Sequence, residues 1–543
     1  MTSKFGGSWI GYHARVSPDK VAMSDLDGGH RLTYAELDER VGRVAGALRS
    51  FGVGRGDRVA MLSRTCARAF EVMYACARLG AIFVPLNIRL SDTELSVLTD
   101  DAQPAVLVGE GGLLGRAPGV PALAWEDGYE QAIAASDPAA PAMLDADDPW
   151  VIIYTSGTTG LPKGVLVTHA GSDATMFGTL IGGAVSAASV CLTALPVWHV
   201  AGLNLFANPV LFAGGTVLVM SSFDPGRSLG LLTRDEDPVT HFCGVPAHYQ
   251  FMQVLPEFGP ARLRYFFAGV GGSPVPAALV DSWAGRGVPL RTIYGISEAG
   301  STVTMSPPGS AATGPGDVGV PMWHLRCRIS DGTEICAPGQ PGELQIAGAS
   351  VTPGYWRRPQ ETAGAIEDGW LHTGDVAVIE ANGHVRIVDR IKDMYISGGE
   401  NVYPAEVEEV LYHHPGVAEV AVIGVPDPRW GETGAAWVVP VPGTQADPED
   451  IRAWARSRLA AFKVPRDVRV VPELPRNATG KILKGELRRR AADLAVISSP
   501  RGFSSRPSSA HTPCSRGMSR AAGTCRGGAS SPRGRSCPWP PSA

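Results

Sequence analysis

The chain has 543 residues and a formal net charge of −5, and 44% of its residues are hydrophobic and 19% charged. This length is too great for one hydrophobic core and predicts two or more domains, while the composition is ordinary for a soluble globular enzyme. No cationic and apolar leader and no run of about eighteen apolar residues is found, which excludes an integral membrane segment and predicts a cytoplasmic protein. The nine cysteines form no Cys-x-x-Cys pair and no cluster with histidine, so we expect neither zinc nor disulfides.

The N-terminal part alternates helix and strand. Thr33-Tyr34-Ala35-Glu36 is a capping box and predicts an amphipathic helix that runs to about Ser50. Residues 58–62 predict a strand, residues 67–79 a second helix, and residues 81–86 another strand. Strand-helix-strand units of this length predict an α/β fold, in which helices cover a sheet.

A glycine- and threonine-rich loop follows the next apolar strand, Trp150-Val151-Ile152-Ile153. Its sequence is Tyr154-Thr155-Ser156-Gly157-Thr158-Thr159-Gly160-Leu161-Pro162-Lys163-Gly164. Three glycines let backbone N–H groups approach an anion closely, the hydroxyls can donate to phosphate oxygens, and Lys163 adds a positive charge. The spacing is not that of a Walker loop, because Lys163 is followed by glycine. Such clusters are more often surface turns, so a triphosphate-binding loop is a hypothesis at this point.

Four later segments carry residues that suit a nucleotide site. In Ile293-Tyr294-Gly295-Ile296-Ser297-Glu298, the carboxylate of Glu298 suits Mg²⁺, which proteins hold by one or two oxygens while water and phosphates complete the shell. Ser297 could donate to the α-phosphate. The other three segments are residues 195–202 with His199, residues 267–274 with paired glycines, and residues 369–375 with Asp375. They also have ordinary interpretations, which are a packed histidine, a turn and a surface acid, respectively.

The C-terminal part contains a second glycine-rich loop and a candidate lysine. The loop Ser397-Gly398-Gly399-Glu400-Asn401 precedes a helix that starts at Pro404. Residues 417–425 and 435–441 predict strands. Lys481 lies in a Pro-x4-Gly-Lys pattern, and without other evidence such a lysine is a solvated charge.

The last residues differ in composition from the rest of the chain. From Ser499 onward there are seven arginines and no acidic residue, and no hydrophobic periodicity is present. This composition predicts a disordered tail. A basic arm could bind nucleic acid or an acidic membrane surface, but an extension without a function is the favoured interpretation.

Residues 154–164 resemble the phosphate loop of the adenylate-forming, AMP-binding superfamily, which contains acyl-CoA synthetases, adenylation domains and luciferases. The later segments resemble further motifs of that superfamily in the same order, so the resemblance covers about residues 8 to 492. Residues 397–408 resemble free-standing fatty-acyl and coumarate-like aryl-CoA ligases more than peptide-synthetase modules.

The resemblance implies two domains and a tail. A large N-terminal AMP-binding domain of α/β subdomains is expected over residues 1–391. A small, mobile α+β C-terminal domain is expected over residues 392–495, with a hinge at Lys392, and the disordered tail rich in Ser, Arg, Pro and Gly over residues 496–543.

The resemblance also implies a role for each motif. The expected ATP-binding residues are Thr155, Ser156, Gly157, Thr158, Thr159, Gly160, Lys163, Gly271, Gly272, Ser273, Tyr294, Gly295, Ile296, Ser297, Glu298, Asp375, Arg390 and Lys481, and Glu298 is also the expected metal ligand. The expected acyl pocket consists of His199, Val200, Ala201, Gly202, Ala268 and Gly269, and the expected CoA tunnel of Ser397, Gly398 and Gly399. The residues expected to act in catalysis are Lys481 between the attacking carboxylate and the α-phosphate, His199 on the acid, Glu298, and the hinge residue Lys392.

The function implied is an ATP-dependent carboxylic acid:CoA ligase for a fatty or aryl carboxylic acid, with ATP, Mg²⁺ and coenzyme A. Acyl-AMP and pyrophosphate form first, and after rotation about Lys392 the thiol attacks the adenylate and releases AMP. Three alternatives stay open: an acyl-AMP ligase that loads a separate carrier protein, a luciferase-like enzyme, and a catalytically silent acyl-adenylate-binding protein. The presence of both Glu298 and Lys481 argues against the last. No nucleic-acid partner is expected, and the state is a monomer or homodimer.

Overall fold

The structure is a computed structural model, and it describes residues 4–5, 8–155, 162–264, 266–307, 314–398, 400–444, 446–477 and 481–498. By compactness the chain divides into residues 1–492 and residues 493–543. The second unit is described only for the end of a helix, and the predicted disordered tail beyond residue 498 lies outside the described residues. The boundaries at residues 391 and 495 therefore stay predictions.

The elements alternate along the chain as an α/β fold requires. The strands are β1 (Lys4–Phe5), β2 (Val21–Asp25), β3 (Arg31–Thr33), β4 (Arg58–Leu62), β5 (Ile82–Pro85), β6 (Val106–Gly109), β7 (Ala122–Ala124), β8 (Met143–Leu144), β9 (Pro149–Thr155), β10 (Lys163–Thr168), β11 (Val190–Thr193), β12 (Thr216–Val219), β13 (His241–Gly244), β14 (Phe267–Gly271), β15 (Leu290–Tyr294), β16 (Thr304–Met305), β17 (Val320–Pro321), β18 (Leu325–Ser330), β19 (Gly342–Gly348), β20 (Ile366–Glu367), β21 (Trp370–Ile379), β22 (Val385–Arg390), β23 (Tyr395–Ser397), β24 (Glu400–Val402), β25 (Val417–Asp427), β26 (Gly431–Pro440) and β27 (Asp467–Val470). The helices are α1 (Ser8–Val16), α2 (Tyr34–Ser50), α3 (Ala67–Leu79), α4 (Asp92–Ala102), α5 (Gly111–Leu114), α6 (Tyr129–Ala135), α7 (His169–Gly183), α8 (Val200–Asn204), α9 (Ala207–Phe212), α10 (Pro225–Thr233), α11 (Pro246–Gln253), α12 (Ala277–Ala284), α13 (Pro359–Ala365), α14 (Pro404–Tyr412), α15 (Pro448–Arg456) and α16 (Lys484–Ser498), with short 3-10 helices at Pro256–Phe258, Ser297–Ala299 and Ala461–Lys463.

Two mainly parallel sheets form the N-terminal part. One has six strands in the order β10-β9-β5-β4-β6-β7, and the other has nine in the order β17-β16-β15-β14-β13-β11-β12-β2-β3. Antiparallel pairs occur only toward their edges, where β10 meets β9, β3 meets β2, and β15, β16 and β17 follow one another. Helix α3 is buried along almost its whole length, which explains its nearly continuous apolar sequence.

The local signals in this part are confirmed. The Thr33 side chain accepts a hydrogen bond from the Glu36 backbone N–H, and the Glu36 carboxylate accepts one from the Thr33 backbone N–H, so the capping box starts α2 as predicted. Helix α3 has the predicted bounds and ends at Gly80, whose φ of +73° lies in the left-handed region that glycine tolerates. The strand predicted over residues 81–86 is shorter by one residue at each end.

The strands on either side of the predicted phosphate loop form a hairpin. β9 leads into the loop and β10 returns from it, and the two pair antiparallel with Thr155 opposite Lys163. Residues 156–161 between them lie outside the described residues. The hairpin fixes both ends of the loop at the edge of the six-stranded sheet.

Two further sheets follow. β18, β19, β20, β21 and β22 form an antiparallel sheet, and β23 to β27 form the C-terminal sheet, which is covered by α14 and α15. The glycine loop predicted at residues 397–401 belongs to a hairpin of β23 and β24, with residue 399 outside the described residues. The strand predicted from residue 435 begins earlier, because Gly431 already pairs with Asp427 of β25. Within the described ranges, no helix has the length and apolar character needed to cross a bilayer.

Helix α16 is tied to the C-terminal sheet region by a buried ion pair. Lys484 Nζ lies 2.8 Å from Glu408 Oε1, and the two side chains are 17% and 9% exposed. Burial works against the charge, but Glu408, Asp389 and Asp393 together hold the pKa of Lys484 above its ordinary value. The ammonium is the counter-ion of a small acidic cluster next to the predicted hinge.

Replacing Lys484 by methionine is expected to lower the free energy of unfolding by about 3 kcal/mol, because it leaves buried carboxylates without their counter-ion. The matched control is Lys463→Met, since the Lys463–Glu406 pair has side chains 23% and 44% exposed and such pairs contribute about 1 kcal/mol or less. Urea unfolding of both variants measures the difference. Equal losses in the two variants would contradict the assignment of a buried counter-ion.

Candidate active site

A cavity of about 1080 Å³ lies at the carboxyl ends of β9, β13, β14 and β15, the edge where α/β sheets bind ligands. Residues from both predicted domains line it. Those predicted from sequence are Thr155, Lys163, His199, Val200, Ala201, Gly271, Gly272, Gly295, Ile296, Ser297, Glu298, Asp375, Arg390, Lys392 and Lys481. The fold therefore brings segments more than three hundred residues apart into one site.

The glycine at the end of β14 is required by close packing. A Cβ atom at Gly271 would lie 2.2 Å from the backbone oxygen of Ile293 on β15. No side chain fits at that distance, so only glycine lets the ends of the two strands approach. Gly271 and Ile293 line the cavity where the two strands approach each other.

Asp375 is held rigidly before any ligand binds. Its Oδ2 accepts a 2.6 Å hydrogen bond from the Tyr294 hydroxyl, and its Oδ1 lies 3.1 Å from Arg390 Nε. The carboxylate is 4% exposed. The adjacent backbone is fixed by Glu343, whose Oε1 accepts from the Gly374 N–H at 2.9 Å. A carboxylate held in this way is preorganised to accept hydroxyl hydrogen bonds.

Lys481 reaches the same cavity from the C-terminal part. Its backbone N–H donates to Asn477 Oδ1 at 2.8 Å. Burial, followed by the positive charge of Arg390, lowers the pKa of the Lys481 ammonium to about 8, while Asp375 acts in the opposite direction. The ammonium lines the same cavity as Arg390 and Asp375, and it is charged at pH 7.

His199 forms a neutral, half-buried part of the wall. Burial, followed by the charge of Arg89, lowers its pKa to about 4, so the imidazole is neutral at pH 7. Its Nε2 atom is buried and has no hydrogen-bond partner among the described residues. A buried polar atom without a partner costs free energy, and a ligand's polar group at this atom would recover it.

Glu298 offers a carboxylate that fits a hard divalent cation. Its Oε1 accepts a hydrogen bond from the Tyr355 hydroxyl at 3.0 Å, and the half-buried side chain lines the cavity. No cluster of three or more His, Cys, Asp or Glu that could hold a metal occurs in the part of the chain that the structure describes. A single carboxylate suits Mg²⁺, whose shell is completed by water and phosphate oxygens.

Other predicted site residues lie outside this lining. Tyr294 contacts Asp375 through its hydroxyl, and Ala268 is buried in a hydrophobic core cluster with Phe242 and Tyr249. Gly202 packs against the backbone of Pro196. Gly269, Ser273, Ser397 and Gly398 also do not line the cavity, while Ser156, Gly157, Thr158, Thr159, Gly160 and Gly399 lie outside the described residues.

Some residues of the wall carry no sequence signal. Tyr355 bonds to Glu298 across 57 positions of sequence, and Glu343 bonds to the backbone of Gly374 across 31 positions. Only the Gly-Tyr pair at residues 354–355 hints at a special backbone, so sequence reasoning had little to identify them.

Comparison with known families matches this architecture. Residues 11–356 match the model of the AMP-binding enzymes, and residues 406–481 match that of the AMP-binding enzyme C-terminal domain. The first match covers more than half of the chain.

Individual relatives align along nearly their whole length. A feruloyl-CoA synthase from Amycolatopsis is 41% identical over 494 residues, which covers 89% of this chain and 98% of the relative. A fatty acid–[acyl-carrier-protein] ligase, ScoC, from Streptomyces coeruleorubidus is 37% identical over 504 residues, covering 88% and 95%. The ATP-bound crystal structure of MatB from Rhodopseudomonas palustris superposes with a TM-score of 0.82 at 32% identity, covering 90% of this chain and 99% of MatB.

Proposed function

The chain belongs to the AMP-binding enzyme family as an acid–thiol ligase of the AMP-forming class, and from this premise we propose that its substrate is an aryl monocarboxylic acid of the substituted cinnamate type. The enzyme joins a carboxylic acid to coenzyme A at the expense of ATP, and it uses Mg²⁺. An uncharged acyl wall next to the charged nucleotide wall carries the monocarboxylic part of the proposal, and the 41% identity to a feruloyl-CoA synthase supports the aryl part.

The acyl wall consists of lining residues on the segments 195–205, 243–245 and 293–296. Within these segments the titratable lining side chains are His199 and Cys243. His199 is neutral at pH 7, and burial raises the pKa of the Cys243 thiol far above its ordinary value, so it too is neutral. Arg89, whose charge acts on His199, does not line the cavity, so a second carboxylate on the substrate would meet no counter-charge among these lining residues and would be costly to desolvate.

The charged wall suits the binding of ATP and the attack of the carboxylate on its α-phosphorus. We assign Lys163 to the triphosphate, Asp375 to the ribose hydroxyls, and Glu298 to Mg²⁺, which would screen the phosphate charge. Lys481 then bridges the attacking carboxylate and the α-phosphate. The carboxylate oxygen forms a bond to the α-phosphorus while the bond to pyrophosphate breaks, so catalysis rests on positioning and charge neutralisation.

The second step requires the thiol to reach the same adenylate. Because Lys481 lines the cavity while Ser397 and Gly398 do not, the arrangement seen suits adenylate formation. We propose that rotation about Lys392 withdraws Lys481 and brings the loop at residues 397–399 to the site, so that the CoA sulfur attacks the acyl carbon and AMP leaves. We also place the enzyme in the cytoplasm, where ATP and CoA are available, as a monomer or homodimer.

Pyrophosphate release over a panel of acids tests the proposal. Ferulate, octanoate and 4-carboxycinnamate are compared with ATP and Mg²⁺, with and without CoA. We expect ferulate to be turned over with CoA-dependent AMP release. We expect 4-carboxycinnamate, which differs mainly by a distal carboxylate, to be at least about a hundredfold poorer in kcat/KM, which corresponds to about 3 kcal/mol.

The outcomes separate the alternatives. Equal rates with ferulate and 4-carboxycinnamate would overturn the uncharged acyl wall, and octanoate as the best acid would replace the aryl class by a fatty one. The 37% identity to a carrier-protein ligase makes acyl transfer to a carrier the second candidate. Pyrophosphate release that is unaffected by CoA would favour it.

A further inference from the structure

Residues 350–356 connect two segments that line the cavity, one with Glu298 and the other with Lys163. On one side, the Ser350 hydroxyl donates to the Ala299 backbone oxygen at 3.0 Å, and the Thr352 N–H donates to the Glu298 backbone oxygen at 2.7 Å. These bonds fix the short helix that carries Glu298. We call residues 350–356 the connecting segment.

The connecting segment also holds the strand that returns from the phosphate loop. The Trp356 N–H donates to the Gly164 backbone oxygen at 2.7 Å, and the Leu166 N–H donates to the Gly354 backbone oxygen at 3.1 Å. The Thr352 hydroxyl donates to the Leu166 backbone oxygen at 2.7 Å. The start of β10, with Lys163, is therefore in fixed register with the helix of Glu298.

Tyr355 lies at the point where these two sets of contacts meet. Its hydroxyl donates to Glu298 Oε1 at 3.0 Å, and Lys163 Nζ lies 5.1 Å from the centre of its ring. One side chain thus contacts the expected metal-binding carboxylate and the expected phosphate-binding ammonium.

We propose that Tyr355 is a positioning residue with two separable parts: its hydroxyl orients Glu298 for the divalent cation, and its ring places Lys163 for the triphosphate. The inference rests on the proposed roles of Glu298 and Lys163. A hydrogen bond to one carboxylate oxygen selects the carboxylate orientation, and partners of this kind affect metal affinity by about ten- to a hundredfold. A cation held over a ring keeps its charge while its rotamer is restricted.

Tyr355→Phe and Tyr355→Leu separate the two parts. The first keeps the ring and removes the hydroxyl, and the second removes both. We expect Tyr355→Phe to weaken Mn²⁺ binding, measured by electron paramagnetic resonance with a non-hydrolysable ATP analogue, by about tenfold. In the presence of a chelator, the analogue itself should bind Tyr355→Phe as it binds the wild type and bind Tyr355→Leu about threefold to tenfold more weakly.

Tyr129→Phe is the matched control. The Tyr129 hydroxyl donates to the carboxylate of Glu71 at 2.9 Å in the core, away from the cavity lining. The same atom is removed from the same kind of contact, so Mn²⁺ and nucleotide affinities should equal those of the wild type. The denaturation midpoints of Tyr355→Phe and Tyr129→Phe, compared with that of the wild type, show whether either variant suffers a general loss of structure.

Glu298→Gln distinguishes failure of this inference from failure of the site assignment. If Glu298→Gln weakens Mn²⁺ binding and Tyr355→Phe does not, the role of the Tyr355 hydroxyl is overturned. If neither variant weakens Mn²⁺ binding, the assignment of Glu298 as the metal ligand is wrong, and the inference about Tyr355 is wrong as well. A Tyr355→Phe variant that loses Mn²⁺ affinity only in proportion to a lowered fraction of folded protein, measured by thermal denaturation, would also overturn the positioning role.

Discussion

Replacing Lys481 by alanine is expected to lower the rate of pyrophosphate release by about 10²- to 10³-fold, the loss typical when one charge-stabilising donor is removed from a reacting centre. The rate of thioester formation from preformed acyl-adenylate and CoA should stay close to that of the wild type. The reason is geometric, because Lys481 lines the cavity beside Arg390 and Asp375 in the arrangement that suits the first step. The two half-reactions are measured separately with the same protein preparation.

The same lysine predicts a pH dependence with a definite sign. Its pKa is lowered to about 8, so the ammonium is present below about pH 8 and is lost as the pH rises through that value. The kcat/KM of adenylation for ATP, which reports ionisations of the free enzyme, should therefore fall above about pH 8. Lys481→Arg keeps its positive charge over this pH range, so its kcat/KM should not show the fall above about pH 8.

Three results would contradict this assignment. A wild-type rate of pyrophosphate release by Lys481→Ala would show that the lysine has no role in adenylate formation. Equal losses in both half-reactions would show that the substitution disturbs the site as a whole. An alkaline limb that persists in Lys481→Arg would belong to another group.

Replacing Asp375 by asparagine is expected to raise the KM for ATP by about ten- to a hundredfold, while kcat for bound ATP falls less. Hydrogen bonds to a charged acceptor contribute about 1.5–3 kcal/mol, and asparagine keeps the shape of the side chain without its charge. The carboxylate is 4% exposed, and contacts with Arg390 and Tyr294 hold its orientation. Equilibrium binding of ATP, measured by calorimetry, checks the expected loss.

Asp317→Asn is the control for this prediction. Asp317 is also a buried carboxylate, within 3.1 Å of His384 Nδ1, but it does not line the cavity. Its replacement should change the denaturation midpoint and leave ATP affinity unchanged. If the two asparagine variants lost ATP affinity equally, the effect of Asp375 would be one of general stability and the ribose assignment would be wrong.

The chain by itself determined those features that depend on neighbours in sequence. The capping box at Thr33 and the glycine end of α3 are decided within a single turn of helix, so local chemistry sets them. The glycine- and threonine-rich sequence before Lys163, directly after an apolar run, is likewise a signal that neighbouring residues carry. Together with the motif order, these local signals were sufficient to identify the family.

The tertiary structure alone decided which side chains meet. Asp375 and Tyr294 are 81 positions apart, Glu298 and Tyr355 are 57 apart, and their contacts follow from the packing of separate sheets and loops rather than from any local pattern. The buried cluster around Lys484 could not be predicted from the sequence either, since a lysine in a polar sequence predicts a solvated charge. Sequence therefore fixes the local elements of this protein, while long-range packing fixes the orientation and the charge environment of its site, because those depend on groups that are close only after folding.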